Sequence, residues 1–307
     1  MKSVVTGGAG FIGSNLVDQL VDRGHKVTVL DDFSTGRKSN LKQHSKKKIK
    51  VVKIDISKNK NLTKYFKEVD YVFHLAGKTS VVESLKKPKL YFKVNVNGTL
   101  NLIKSIKRFN IKKFIYAASA SCYGIPKELP TKENSKIKPS SPYAHSKYLA
   151  EKLIMHEVKK NNFPANSLRF FNVYGPRLSA AGSYSSVFGA FLSQKVANKP
   201  LTIIGNGNQT RDFIHVKDLV NVIIKAAFSK KIGNIYNVGS GIEVKINKVA
   251  DIIGGKKIYL PKRKNETNRS LASIKKIKKD FNWKPKITLE KGLKNLLKDT
   301  HAKVYFN

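Results

Sequence analysis

A glycine-rich segment constrains the fold of this 307-residue chain more than any other feature of its sequence. It joins a short apolar run to a helical pattern that begins at Phe11, and Gly7, Gly10 and Gly13 recur in it at every third position. Glycines at this spacing allow a tight turn, a close backbone approach to a pyrophosphate and close packing of the helix on a sheet. The anion would lie over the N–H groups at the start of the helix, and we expect Phe11 and Ile12 to contribute to that site.

Short apolar runs alternate with longer helical patterns through the first half of the chain. Strands are predicted at Ser3–Val5, Val27–Leu30, Val51–Ile54, Tyr71–Leu75, Lys113–Ala118 and Ser167–Asn172. Helices are predicted at Phe11–Arg23, Tyr91–Phe109 and Tyr143–Lys160. This alternation predicts an α/β fold of the Rossmann type, in which helices cover both faces of a doubly wound parallel sheet. Ligands of such folds bind at the carboxyl ends of the strands.

The pattern becomes less regular after Asn172. Short strands are predicted at Leu201–Ile204 and Ile235–Val238, and helices at Val187–Ala197, Val216–Phe228 and Leu289–Leu297. We therefore expect a nucleotide-binding Rossmann domain over residues 1–172 and a smaller α/β substrate-binding lobe over residues 173–307. The two could interleave along the chain.

The chain is strongly basic, with 60 Lys and Arg against 20 Asp and Glu and a formal net charge of +40. Lysines are spread along its whole length, and no zinc-finger, RRM or homeodomain pattern is present. The charge therefore favours lysines in solvated positions over a nucleic-acid partner, although a basic nucleic-acid-binding protein remains a rival hypothesis. Its signature would be duplex affinity that falls steeply with salt.

Other features exclude several classes of protein. The single cysteine, Cys122, rules out an internal disulfide framework. No cluster of His, Asp and Glu has the spacing of metal ligands, so no metal is expected. No charged-then-apolar leader or bilayer-length apolar run is present, which predicts a cytoplasmic protein with no membrane partner.

A carboxylate follows the second predicted strand at the position where dinucleotide-binding folds hold a ribose. Asp31 lies 18 residues after Gly13. A carboxylate there accepts hydrogen bonds from both hydroxyls of the adenosine ribose and repels a 2′-phosphate, which favours NAD over NADP. Asp32 follows directly, so either carboxylate could bind the ribose, and Ser34 and Gly36 lie in the same candidate cofactor segment.

Asp55 and Ile56 follow the third predicted strand. Their place at the carboxyl edge of the sheet predicts that they border the adenine. Asp55 could instead cap a helix.

A Tyr-x-x-x-Lys pattern opens the helix that begins at Tyr143. Residues four apart share one helix face, so the Lys147 ammonium would lie beside the Tyr143 phenol. A phenol is a poor base at neutral pH, and a nearby cation favours the phenolate. Ser119 supplies a hydroxyl at the end of the fifth predicted strand, which makes these three residues the candidate catalytic group.

Together these features resemble the extended short-chain dehydrogenase/reductase superfamily, and within it the nucleotide-sugar epimerase/dehydratase family. The resemblance covers almost the whole chain. It implies that Leu75, Ala76 and Gly77 lie beside the nicotinamide ribose and that Asn95 supports the active site. It also implies that Tyr143 and Lys147 contact NAD.

The resemblance further implies a UDP-sugar substrate. Asn172, Arg211 and Arg263 would hold its diphosphate, the backbone of Val187 would meet the uracil, and Ser119 would contact the sugar. Arg211 and Arg263 are two of eight arginines in a chain whose usual cation is lysine. Their planar guanidinium groups suit bidentate contacts with phosphate.

The residues after Ser119 separate the activities within the resembled family. Its 4,6-dehydratases carry an Asp-Glu pair there and its decarboxylases a Glu, whereas this chain has Ala120 and Ser121. The resemblance therefore implies NAD-dependent 4-epimerisation of a UDP-hexose through a 4-keto intermediate. Ser270, a small residue where the family narrows its sugar pocket, would also admit an N-acetylated hexose.

Other interpretations stay open. The substrate could be UDP-glucuronate or another nucleotide sugar, and the chain could be a cofactor-binding sensor or scaffold without turnover. The resemblance also suggests a homodimer in which the helices Tyr91–Phe109 and Tyr143–Lys160 pair with their twofold mates. His145 and His215 are expected to be structural.

Overall fold

The structure is a computed structural model that describes residues 1–58, 61–178, 187–262 and 267–298. The strands are β1 (Lys2–Thr6), β2 (Lys26–Asp31), β3 (Ile49–Lys53), β4 (Tyr71–His74), β5 (Lys113–Ser119), β6 (Ala165–Phe170), β7 (Asn172–Tyr174), β8 (Leu201–Ile204), β9 (Thr210–His215), β10 (Ile235–Val238), β11 (Glu243–Lys245) and β12 (Lys257–Leu260). The helices are α1 (Phe11–Asp22), α2 (Val81–Lys86), α3 (Pro88–Phe92), α4 (Gly98–Ile106), α5 (Pro142–Asn161), α6 (Val187–Val196), α7 (Val216–Phe228), α8 (Ile246–Ile253), α9 (Lys275–Phe281) and α10 (Leu289–Lys298). A π-helical turn, Lys93–Asn97, joins α3 to α4. None of the helices in these ranges is long and apolar enough to cross a bilayer.

The main sheet has seven parallel strands in the order β10-β6-β5-β4-β1-β2-β3. The chain builds outward from β1 through β2 to β3, then returns to the other side of β1 with β4. The strand order therefore reverses between β1 and β4, the place where open α/β sheets bind ligands. The predicted Rossmann-type fold is confirmed.

The chain forms two compact units whose residues interleave along the sequence. Unit 1 comprises residues Met1–Cys122, Pro139–Arg169 and Val220–Tyr236, and unit 2 comprises Tyr123–Lys138, Phe170–Leu219 and Asn237–Asn307.

Unit 1 is organised by strands that are buried on both faces. In β5, every residue from Lys113 to Ala118 is buried, as expected of a central parallel strand between two helical layers. Phe66, Phe114 and Ile154 are fully buried in the largest apolar cluster described for this unit. The continuous apolar character of β5 thus sets the position of its last residue, Ser119, at the carboxyl edge of the sheet.

Unit 2 contains a three-stranded sheet in the order β11-β9-β7 and the pair β12-β8. Its apolar cluster includes Tyr174, whose ring stacks on Phe188 with the centroids 4.8 Å apart. Phe213 of β9 packs edge-on against the same Phe188 ring at 4.6 Å. These aromatic contacts hold the strands that carry Asn172 and Arg211.

Two predicted elements differ from the structure. Ile235–Val238, expected in the second lobe, is the edge strand of the main sheet, because the backbone N–H of Ser167 bonds to Asn234 and that of Phe171 bonds to Val238. The strand predicted to run to Asn172 ends at Phe170, and Asn172 begins β7 in a different sheet. Sequence periodicity cannot show which strand is the neighbour of another.

Candidate active site

In the glycine-rich turn between β1 and α1, two positions, Gly7 and Gly13, have no room for a side chain. Gly7 has a φ of +70°, and a Cβ there would lie 2.7 Å from the backbone nitrogen of Ala76. A Cβ on Gly13 would lie 2.1 Å from the Gly7 carbonyl oxygen. The turn is therefore closely packed backbone, which leaves its outer surface open to a ligand.

The start of α1 is suited to an anion. Gly10 is the N-cap residue, no side chain caps the helix, and its first turn contains no acidic residue. The N–H groups at Phe11, Ile12 and Gly13 thus lie at the positive end of the helix dipole without a competing carboxylate. These features fit the pyrophosphate of a dinucleotide.

The segment after β4 lies against this turn. The backbone N–H of Leu75 donates to the Thr6 carbonyl at 3.1 Å, and that of Ala76 donates to the Thr6 hydroxyl at 3.2 Å. A Cβ on Gly77 would lie 2.9 Å from Oδ1 of Asn95. The residues expected beside the cofactor, Leu75 to Gly77, are therefore brought to the point where the strand order reverses.

Asp31 and Asp32 have different environments. Asp31 is 6% exposed, and its two carboxylate oxygens accept hydrogen bonds from the N–H of Ala9 at 2.9 Å and of Phe33 at 2.8 Å. Asp32 is exposed and accepts from the backbone and hydroxyl of Ser34. Burial raises the pKa of Asp31, opposed by these two backbone hydrogen bonds. Asp31 is thus fixed at the turn, whereas Asp32 organises the loop after it.

The other residues expected to border the adenosine are Ser34, Gly36, Asp55 and Ile56. The Ser34 hydroxyl accepts from the Lys78 ammonium at 3.1 Å, and a Cβ on Gly36 would lie 2.8 Å from Oδ1 of Asp31. Asp55 accepts from the backbone and hydroxyl of Ser57 at 2.9 and 2.7 Å. The Ile56 side chain is buried in the apolar cluster of unit 1, so only its backbone can border a ligand.

Three hydroxyl groups meet at Tyr143. The short 3₁₀ helix Ala120–Tyr123 turns the chain back after Ser119, so that the Ser121 hydroxyl donates to Ser119 at 2.9 Å. Both serine side chains lie close enough to the Tyr143 phenol to affect its pKa. Burial raises the pKa of Tyr143, and the hydrogen bonds from the two serines oppose that increase.

Lys147 lies one helical turn after Tyr143 and is 6% exposed. Its ammonium lies 4.4 Å from the centroid of the Tyr116 ring. Burial lowers the pKa of Lys147 to about 7, while the charge of Glu151 raises it. Burial of the Tyr143 phenol outweighs the opposing hydrogen bonds. The expected phenolate, favoured by Lys147 and a cationic nicotinamide, stays a prediction for the enzyme with bound cofactor.

A buried ion pair lies one turn further along α5. The Arg169 guanidinium donates to Glu151, with Nη2 2.6 Å from Oε1, and both side chains are at most 3% exposed. The Ser167 hydroxyl donates to the same carboxylate at 2.8 Å. The carboxylate of this pair is the group whose charge raises the pKa of Lys147 against the effect of burial.

Asn95 lies in the π-helical turn and is 2% exposed. Its amide donates to the Ser146 hydroxyl at 2.9 Å and to the Lys78 carbonyl at 3.1 Å, and its Oδ1 accepts from the Lys78 N–H at 2.8 Å. The extra residue of a π-helical turn displaces this side chain toward α5, where it joins α5 to the segment after β4.

His74 connects β1 to the same π-helical turn through two threonines. The Thr99 hydroxyl donates to the Asn95 carbonyl at 2.6 Å, and His74 Nε2 lies 2.8 Å from that hydroxyl. His74 Nε2 must therefore donate, so Nδ1 accepts from the Thr6 hydroxyl 2.8 Å away. Burial lowers the pKa of His74 to about 3, which agrees with a neutral ring.

In unit 2, β7 pairs in parallel with β9, which places Asn172 and Arg211 on neighbouring strands. Asn172 donates to the Asp212 carbonyl at 3.2 Å. The Asp212 carboxylate is buried and accepts hydrogen bonds from the backbone N–H groups of Ser240, Gly241 and Ala272. This carboxylate is thus the centre that ties three segments of unit 2 together.

The segment that contains Ser270 runs beside β9. The Thr210 N–H donates to the Asn268 carbonyl at 2.9 Å, and the Ala272 N–H donates to Asp212 at 3.0 Å. Ser270, half-buried, therefore lies opposite Arg211. Val187 is half-buried and begins α6, and Arg263 lies outside the described residues.

Comparison with known proteins decides the family. A model described as "NAD dependent epimerase/dehydratase family" matches residues 3–239. The chain belongs to this family. It is therefore an NAD-dependent enzyme of the class that modifies nucleotide sugars.

Solved structures of family members are similar over nearly the whole chain. The UDP-glucose 4-epimerase of Thermotoga maritima, solved with UDP-glucose, is 30% identical with a TM-score of 0.91, over 100% of this chain and 98% of that chain. The UDP-N-acetylglucosamine 4-epimerase of Methanobrevibacter ruminantium M1 is 34% identical with a TM-score of 0.90, over 96% and 98%. The UDP-glucuronic acid 4-epimerase of Bacillus cereus, solved with UDP-glucuronic acid and NAD, is 30% identical with a TM-score of 0.89, over 100% and 99%.

The structure adds residues to this family site that sequence reasoning missed. Ser121 was noted only as the absence of an acid, yet its hydroxyl reaches Tyr143. The Tyr116 ring contacts the Lys147 ammonium, and the charge of Glu151 raises the pKa of Lys147. Glu151 could have been found, because it continues the four-residue spacing of Tyr143 and Lys147 on one helix face. Tyr116 lies on a different element, so no spacing signals its contact.

The two histidines considered in the sequence have different environments. His145 is exposed. His215 is buried against the edge of the Tyr174 ring at 5.2 Å, and its Nδ1 accepts from the Lys217 N–H at 3.2 Å. Burial lowers the pKa of His215 to about 4.

Proposed function

We propose that this enzyme catalyses the 4-epimerisation of a UDP-hexose, with UDP-glucose and UDP-galactose as the first pair of substrates. One observation carries the proposal: the mutually hydrogen-bonded hydroxyls of Ser119 and Ser121 act on the Tyr143 phenol, one helical turn before the buried Lys147, with no carboxylate in the positions after Ser119. Such a group can remove and return one proton. It contains no acid that would drive elimination of water or assist loss of CO₂.

The cofactor is assigned to unit 1. The uncapped start of α1 suits the pyrophosphate, the fixed carboxylate of Asp31 suits the ribose hydroxyls, and Gly77 leaves space beside Asn95 and Lys147. When bound, NAD supplies a reversible acceptor for the hydride at C4 of the sugar. Lys147 would hold its nicotinamide ribose.

The proton is assigned to Tyr143. Its phenolate oxygen takes the proton from the O4 hydroxyl of the sugar as the C4–H bond breaks, and returns it after the ring has turned over. The Ser119 hydroxyl accepts from Ser121, which leaves the proton of Ser119 to be donated to this phenolate. Because burial alone raises the pKa of Tyr143, the phenolate also requires the positive charge of Lys147 and of the oxidised cofactor.

The nucleotide is assigned to unit 2. Arg211 and Asn172, on paired strands, and Arg263 would hold the diphosphate, and the backbone of Val187 would meet the uracil. An anchor at the diphosphate leaves the 4-keto sugar free to rotate about its bonds to phosphorus. The same hydride can then return to the opposite face of C4, which inverts that carbon.

The sugar pocket is assigned from Ser270. The segment that contains Ser270 runs beside β9, and the small Ser270 side chain would offer little bulk to a 2-acetamido group. We therefore include the N-acetylated pair among the substrates. The similarity to the Bacillus cereus enzyme supports UDP-glucuronate as the second candidate, since the same proton and hydride steps apply.

A homodimer is part of the proposal. The α5 helix, which carries Tyr143 and Lys147, exposes 42% of Leu149, and the nearby α2 exposes 63% of Leu85. Apolar residues on these helices would be covered by the twofold mates of a second chain.

Tyr143→Phe tests the assignment of the catalytic base. Turnover of UDP-galactose should fall at least about 100-fold, because general base catalysis contributes that much or more. NAD affinity, measured by calorimetry, should stay within a few-fold of wild type, since only one hydroxyl is lost. Unchanged turnover would overturn the assignment and favour a binding protein without this chemistry.

A further inference from the structure

A concavity in unit 1 lies at the amino ends of β1, β2 and β3. Its volume is about 270 Å³. Lys2 and Lys26 are the first residues of two of these strands, and Lys48 directly precedes the third. It is lined by Lys2, Ser3, Lys26, Val27, Thr28, Lys46, Lys47, Lys48, Ile49, Lys50, Lys64, Tyr65, Lys67 and Val69.

The charge of this concavity is of one sign. Eight of the 14 lining residues are lysines and none is acidic. In the chain as a whole, Lys and Arg together make up 60 of 307 residues. The lining is therefore far richer in cations than the basic composition alone would place there.

Few of these charges are neutralised by the protein. Lys2 pairs with Glu68 at 2.5 Å. Within the described ranges of the chain, none of the other seven lysines has a carboxylate within ion-pair distance. Lys64 lies instead over the ring of Tyr65, 5.3 Å from its centroid.

The arrangement of the strands brings several exposed lysines close together, so that they repel one another. Lys2 and Lys26 are direct partners in the register of β1 and β2, and Glu68 offsets only the charge of Lys2. The run Lys46 to Lys48 then brings three more cations to the start of β3. A bound anion would relieve this repulsion, whereas a purely solvated surface would gain from spacing the lysines apart.

The concavity is separate from the cofactor site. The glycine-rich turn follows the carboxyl end of β1, and the concavity lies at its amino end, roughly 13 Å away along a strand that rises about 3.3 Å per residue. Of the residues assigned to the UDP-sugar, Ser119 ends β5 at the same carboxyl edge as the cofactor site, and the others lie in unit 2. Neither known ligand of the family site would therefore occupy it.

We propose that this concavity binds a small compound that carries several phosphate groups. The volume is close to the lower limit of small-molecule pockets, and lysine ammonium groups bind phosphate as point charges. A single-stranded nucleic acid would need bases stacked on open aromatic rings, and the Tyr65 ring already contacts Lys64.

Calorimetric titration with inorganic tripolyphosphate tests the proposal on the full chain. Saturating NAD and UDP occupy the family site, and about 150 mM KCl screens weak surface attraction. The variant Lys47→Gln/Lys48→Gln/Lys50→Gln removes three lining charges. The control Lys275→Gln/Lys278→Gln/Lys279→Gln removes three exposed charges on α9, so both variants change net charge equally.

We expect wild type to bind one tripolyphosphate, the first variant to bind at least tenfold more weakly, and the control to stay within twofold of wild type. Equal losses in both variants would mean attraction to net charge alone and would overturn the proposal. So would the absence of binding at this salt concentration. Because the titration does not depend on turnover, failure of the proposed epimerase activity leaves its outcome unaffected.

Discussion

The ammonium of Lys147 lies against the face of the Tyr116 ring, 4.4 Å from its centroid. The Tyr116 hydroxyl also donates to the Lys147 backbone carbonyl at 3.2 Å. Both residues are buried, so the ring replaces part of the water that an exposed ammonium would bind. The charge on this lysine is therefore set by a small number of interior contacts.

This burial gives the free energy of unfolding a characteristic pH dependence. The pKa of Lys147 is lowered to about 7 by burial, against about 10.4 for a free lysine. Between these values the unfolded chain holds a proton that the folded chain lacks, so the contribution of Lys147 to stability rises with pH. Lys147→Met removes that contribution.

The stability of Lys147→Met relative to wild type should thus be greatest at pH 7 and decline as the pH approaches 10. Urea unfolding of both proteins at pH 7, 8.5 and 10 measures this difference. Packing changes add a constant that does not vary with pH. A stability difference that stays the same from pH 7 to pH 10 would show that burial does not lower the pKa of Lys147.

Asp31 and Asp32 should differ in their effect on the cofactor. Asp31→Asn places an amide nitrogen against one of two N–H donors, Ala9 or Phe33, and removes the charge that suits the ribose. We expect NAD affinity to fall at least about tenfold, in line with the loss of a charged hydrogen bond. Calorimetry with NAD measures the change.

Asp32→Asn is the matched control, because its Oδ1 still accepts from the Ser34 N–H and the residue is exposed. NAD affinity should stay near that of wild type. If Asp32→Asn is the weaker binder of the two, the ribose carboxylate is Asp32.

The buried pair of Glu151 and Arg169 should behave as one unit. Either Glu151→Leu or Arg169→Met leaves an unpaired interior charge, which costs about 3–5 kcal/mol of unfolding free energy. The double variant leaves no such charge, so it should lose much less than the sum of the singles. Urea unfolding of the four proteins measures the coupling, and additive losses would contradict it.

Leu149 should be needed for the proposed dimer. Leu149→Glu adds a charge to an apolar residue that is 42% exposed on α5, and a charge buried at an interface is costly. Light scattering after gel filtration should then report a monomer, while wild type is a dimer. Lys159→Glu, on the exposed end of the same helix, should leave the dimer intact. A wild-type monomer would remove the dimer from the account.

Local patterns in the sequence were enough to predict strands of the main sheet and the glycine-rich turn after β1. The spacing of Gly7, Gly10 and Gly13 reflects backbone crowding within one short segment, and the structure shows that crowding directly. The apolar runs of β1, β4 and β5 are buried on both faces, so an uninterrupted apolar run was a correct signal for these strands. The helix through Tyr143 and Lys147 was likewise readable from its spacing.

The features that the sequence did not predict depend on contacts between segments that are distant along the chain. Ile235–Val238 reads as an isolated strand, and only its hydrogen bonds with β6 show that it completes the main sheet. The π-helical turn around Asn95 has no distinct composition. The burial of Tyr143 and Lys147, which dominates the pKa of each side chain, depends on tertiary packing and has no local pattern in the sequence.

The most direct test is to add purified protein and NAD to UDP-galactose and UDP-N-acetylgalactosamine together and follow the anomeric protons by NMR. The account predicts that UDP-glucose appears, and that UDP-N-acetylglucosamine appears with it because Ser270 leaves room for the acetamido group. Appearance of UDP-glucose alone would contradict the assignment of Ser270. If NAD is bound and neither product forms, 4-epimerisation of UDP-hexoses is wrong, and UDP-glucuronate becomes the substrate to examine next.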